Sequence, residues 1–92
     1  MISELKDPKE VKLFLELAME EYEKDNDTSA LMLTLRLIAE AQGGIAKLAD
    51  KSHLNRQNLY KILTGKAVPR LDTMVAIIKG LGFKFSFADN KA

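Results

Sequence analysis

The chain contains no cysteine. A disulfide framework, a thiolate nucleophile and a cysteine metal site are therefore excluded. It has one histidine, His53, and a metal site needs more convergent ligands than one imidazole supplies. There is no phosphate-cradling glycine-rich loop, and Glu16, Glu20 and Glu23 have the spacing of a solvated helix face rather than of a catalytic cluster. The expectation is a protein that is not an enzyme and carries no cofactor. No apolar run approaches the roughly 18 residues that a membrane helix needs. The opening Met1-Ile2-Ser3-Glu4 lacks a basic-then-apolar signal. A soluble cytoplasmic protein with no membrane partner is expected. Internal repeats and low-complexity segments are also missing.

What is present suits one small globular domain spanning residues 1–92. Apolar residues make up 47% and aromatics 7%, enough to exclude a disordered chain. A domain of this size is only marginally stable alone, so oligomerisation is expected. The net charge is +1, but it is unevenly spread. Residues 1–28 hold four Lys/Arg against nine Asp/Glu, whereas residues 29–92 hold ten against four. Most of that excess lies between Gly43 and Arg70, where Lys47, Lys51, Arg56, Lys61, Lys66 and Arg70 face only Asp50. A local basic cluster is what a phosphate-binding surface requires. On charge alone it is equally a solvated helix face.

Local signals predict an all-α chain of five helices. Asp7-Pro8-Lys9-Glu10 is a helix start, with Asp7 as cap, Pro8 at the first helical position and Glu10 at capping-box spacing. This helix is expected to run to about Lys24 on a core stripe of Val11, Phe14, Leu15, Ala18 and Tyr22. After a polar link, a second helix is expected from Thr28 to Gln42, stopped by Gly43-Gly44. Two short helices follow, Ile45–Ser52 and Asn55–Thr64, and then a loop through Pro69. The last helix, Leu71–Leu81, is closed by Gly82. Phe83-Lys84-Phe85-Ser86-Phe87 alternates apolar and polar, the period of a short C-terminal β-strand.

Residues 45–64 carry the functional signal. Two short helices that cross steeply need a small residue where their backbones approach, and Ala49 is placed for it. Ile45, Leu48, Leu54, Leu59, Ile62 and Leu63 point inward by spacing. Arg56, Gln57, Tyr60 and Lys61 are left facing outward, on a helix able to enter a DNA major groove. Arginine can reach guanine O6 and N7, and glutamine can pair with adenine N6 and N7. Lysine and tyrosine can hold phosphates. Asn55 is placed to cap this helix.

This stretch resembles the Cro/lambda-repressor-like (Xre-type) helix-turn-helix family. The resemblance continues through Leu63-Thr64-Gly65-Lys66, Pro69-Arg70-Leu71-Asp72-Thr73 and Ile77-Ile78-Lys79-Gly80-Leu81-Gly82. It implies a five-helix lambda-repressor-like domain in which Lys66 and Arg70 grip the DNA backbone and Arg56 and Gln57 read bases. Two positions depart from the family pattern. His53 stands in the turn where the family usually has glycine, and Arg70 stands where a serine or threonine cap is common. Histidine tolerates the left-handed conformation better than most residues.

The acidic first helix opened by Asp-Pro, the Gly-Gly stop, Asn58-Leu59-Tyr60-Lys61-Ile62-Leu63 and the closing Gly82-Phe83-Lys84-Phe85-Ser86-Phe87 together resemble the addiction-module antidote proteins. That resemblance implies an antitoxin that binds a RelE/HigB-type ribonuclease toxin and represses its own operon. A homodimer on double-stranded DNA is expected because two copies must span half-sites about 34 Å apart. A prophage-type repressor without a toxin, and an interaction module that has lost DNA binding, are the alternatives. Two features fall outside the DNA-binding core. Phe83, Phe85 and Phe87 either pair as a strand between chains or cover the helical core as a tail. Leu13 and Leu17 lie off the core stripe among Glu10, Glu16, Glu20 and Glu21. They either seat a basic partner or are wrapped by the domain itself.

Overall fold

A computed structural model describes residues 7–90. Five helices follow in order: α1 (Pro8–Asp25), α2 (Thr28–Ala41), α3 (Ile45–Ser52), α4 (Arg56–Leu63) and α5 (Leu71–Gly80). Their ends lie where the local chemistry demands. Asp7 accepts a hydrogen bond from the Lys9 N–H at 3.0 Å, and Pro8 opens α1. Asp27 caps α2 through the Ala30 N–H at 3.1 Å, and Asn55 caps α4 through the Asn58 N–H at 2.9 Å. Each bond satisfies one of the free N–H groups at a helix start.

The helix stops use left-handed residues. Asn26 (φ 55°) ends α1, and His53 (φ 57°) ends α3. His53 thus occupies the left-handed position that the sequence pattern assigns to the turn. After Gly43-Gly44 the chain reverses into α3, with Gly44 N–H bonded to the Ala39 carbonyl at 2.8 Å.

α2 is the hub, because α1, α3 and α4 all pack on it, while α5 reaches the assembly through α3. Met32, Leu35 and Ile38 of α2 are sealed together with Val11, Leu59, Leu63 and Ile77. Each such side chain contributes roughly 1.5–3 kcal/mol when buried. Ala49 is buried as expected for a close approach. α5 also comes close to α3 at Gly80, where a Cβ would stand 2.7 Å from Leu48 Cδ1 and 3.2 Å from Ser52 Cβ. Gln42 fastens the same end of the fold, its Nε2 donating to the Leu81 carbonyl at 3.1 Å.

The expected C-terminal strand is not formed. Residues 83–90 run without regular structure, and no strand occurs among the described residues. The reason is that a strand exists only against a ladder partner, and the described residues offer none. Phe83 packs against the core, whereas Phe85 is exposed and Phe87 wholly so. The alternating pattern therefore leaves Phe85 partly and Phe87 fully open to solvent.

Candidate nucleic-acid interface

The outward face of α4 is the feature around which polar, cationic and aromatic groups converge. Leu59, Ile62 and Leu63 are buried and fix the helix in rotation. That rotation leaves Arg56, Gln57, Tyr60 and Lys61 exposed on the opposite side. Asn55 sets the starting point of the helix, and hence the turn on which Arg56 and Gln57 stand.

Lys66 arrives from the loop after α4, tied down by its N–H bond to the Lys61 carbonyl at 2.8 Å. Its Nζ stands 6.0 Å from the Tyr60 ring centroid, at the outer limit of a cation–π contact. Arg56, Gln57, Tyr60, Lys61 and Lys66, with Ile45 from α3, border one open concavity of about 430 Å³. Three cations there face no carboxylate on its lining. The arrangement combines fork-shaped and amide donors with point charges, which suits an extended polyanion more than a small neutral ligand. Among the described residues no group of His, Cys, Asp or Glu is placed to hold a metal ion. No helix of the described residues is long and apolar enough to cross a membrane.

The fold separates the six basic residues that the sequence groups together. Lys47 and Lys51 line a different crease, beside Gln42 and Gly80. Arg70 lies outside the lining of the concavity and pairs with Asp72, Nε to Oδ1 at 3.4 Å. Both partners of that pair are mostly solvated, so it holds them only weakly. Arg70 makes no side-chain cap to α5, in line with its replacing a serine or threonine there. Only Arg56, Lys61 and Lys66 therefore share the concavity.

Ile45 was assigned inward by its spacing, yet it does both jobs, packing on the core and bordering the concavity. An exposed apolar group of Val68 (88% exposed), Leu71 and Val75 at the head of α5 was not anticipated. Leu13 and Leu17 are both about half exposed on α1, so the domain does not wrap that face.

Comparison with known families places the chain. It matches the model of the family described as "Probable addiction module antidote protein" over residues 1–89. The chain belongs to this family of addiction-module antidotes, the antitoxin halves of toxin–antitoxin pairs, and such a protein implies a toxin that it opposes. No curated protein and no solved structure matches it significantly.

Proposed function

We propose that this antidote is a sequence-specific DNA-binding antitoxin that represses its own operon and neutralises a RelE/HigB-type toxin in the cytoplasm. The observation that carries the DNA-binding half is the convergence of Arg56, Gln57, Tyr60, Lys61 and Lys66 on the free face of α4. Together α3 and α4, residues 45–64 with their turn and caps, form the helix-turn-helix of a lambda-repressor-like domain. α4 has eight residues, which at about 1.5 Å each span roughly 12 Å. With its side chains a helix is about 10–12 Å across, which fits the B-DNA major groove, about 12 Å wide.

In this reading Arg56 and Gln57 address base edges, while Tyr60, Lys61, Lys66 and Arg70 hold phosphates. Asn55 caps the reading helix at the DNA surface. A homodimer presents two reading helices, and Phe83, Phe85 and Phe87 supply strand pairing to a second copy or to the toxin. The exposure of Phe85 in part and of Phe87 in full supports that role.

Fluorescence anisotropy tests the DNA-binding half. The purified protein is titrated with DNA upstream of its own gene and with scrambled DNA, across a salt series. Preferential, salt-sensitive binding to the upstream DNA is expected. Lys66→Ala should weaken both DNAs alike and lower the salt slope by about one unit. Equal binding to both DNAs by the wild type removes the operator reading. Co-expression with the adjacent reading frame tests the antitoxin half, with a stable complex expected.

A further inference from the structure

α1 packs on α2 and on no other helix, and along that seam the two leave an open groove of about 280 Å³. Phe14, Leu17 and Tyr22 supply apolar walls, and Glu21, Asp25 and Asp27 stand along it. Its lining is mainly apolar and contains no lysine or arginine. Leu17 is 50% exposed at its edge, so apolar surface is available without rearrangement. The volume falls just below the roughly 300–1,000 Å³ of small-molecule pockets, which also enclose most of their ligand. This groove is open, and so fits side chains projecting from a larger partner.

We infer that the groove seats a cationic amphipathic segment of a protein partner, with apolar side chains against Phe14, Leu17 and Tyr22 and lysine or arginine beside Glu21, Asp25 and Asp27. Charge complementarity selects this occupant. Three carboxylates of one sign repel nucleic acid and acidic peptides, and favour a partner of opposite sign. Lys24, on the same helix, meets Glu21 at 3.6 Å with both groups mostly in solvent. Such a pair contributes little, so an incoming cation displaces it at low cost. Placing the toxin in this groove rests on the antitoxin reading above, and an RNA-cutting toxin must itself be basic where it meets its substrate. Leu13 is not part of the groove lining, so the seat lies between the two helices rather than on the Leu13 side of α1.

The test uses the full chain, labelled with ¹⁵N and titrated with a synthetic amphipathic Leu/Lys peptide and with a Leu/Glu peptide of the same pattern. Amide shifts at Ala18, Ala30 and Thr34 are expected with the Leu/Lys peptide only. Glu21→Lys should weaken that binding roughly tenfold, whereas Glu16→Lys, an equal charge change on the far side of α1, should leave it intact. Unchanged amide spectra of both variants without peptide check that they fold. Shifts confined to other surfaces, equal binding of the Leu/Glu peptide, or equal loss in both variants would overturn the inference. Co-expression of Glu21→Lys with the adjacent reading frame separates the two readings. A toxin complex indifferent to Glu21→Lys removes the groove and leaves the antitoxin; no complex even with the wild type removes the antitoxin, while the peptide titration still judges the groove.

Discussion

Asn55 is the residue on which the geometry of α4 turns. Its Oδ1 takes the Asn58 N–H at 2.9 Å and so fixes where the helix starts. Arg56 and Gln57, the next two residues, inherit their direction from that start. Asn55→Ala should cost about 1 kcal/mol, which for a domain of this size lowers the melting temperature by about 4–8 °C. Thermal unfolding followed by circular dichroism checks it, and an unchanged midpoint would mean that water caps the helix as well as asparagine does. Two residues earlier, His53 holds φ 57° and ψ 38° at the end of α3. A side chain in the left-handed region costs roughly 1–2 kcal/mol, partly offset by glycine's greater freedom when unfolded. His53→Gly should therefore raise stability by a fraction of that cost, measured in the same melting experiment.

Between elements, the seam of α3 and α5 leaves no room for a side chain at Gly80. A Cβ at Gly80 meets the movable tip of Leu48 but also the Ser52 Cβ, which the α3 backbone holds in place. Overpacking of this kind costs about 1–3 kcal/mol, against about 0.5–1 kcal/mol gained in helix propensity. Gly80→Ala should be destabilising on balance by about 1 kcal/mol, as read from urea unfolding. A stabilised variant would show that α5 can slide away from α3. The helices themselves were legible in the sequence because their ends are written in local chemistry: Asp7, Asp27 and Asn55 at the starts, Gly43-Gly44, His53 and Gly82 at the stops. The features that escaped depend on how elements meet. The alternation of Phe83–Phe87 states a period, not a partner, so it could not say whether a ladder exists. The basic run from Lys47 to Arg70 is continuous in sequence but divided by the turn between α3 and α4, which sends Lys47 and Lys51 to another crease. A wheel of α1 alone set Leu17 apart from the core stripe, and only the presence of α2 shows that it borders a groove.

For the whole molecule, the two concave surfaces differ in charge, as the two proposed partners require. The concavity of α4 carries three cations, and the α1–α2 groove carries three carboxylates. A polyanion and a basic protein are thus steered to different places. In the proposed homodimer the two α4 helices must stand about 34 Å apart, one turn of DNA. Exposed Val68, Leu71 and Val75, together with Phe85 and Phe87, provide apolar area for such a pairing. Burial of these groups should make the apparent mass in sedimentation rise towards a dimer with concentration, and a monomer at every concentration would contradict it. If α4 reads the operator, Gln57→Ala removes one of its two base-reading side chains. Anisotropy titrations of wild type and variant against upstream and scrambled DNA should show about 1–3 kcal/mol lost on the upstream DNA and little on the scrambled. An unchanged preference for the upstream DNA would mean that another surface does the reading.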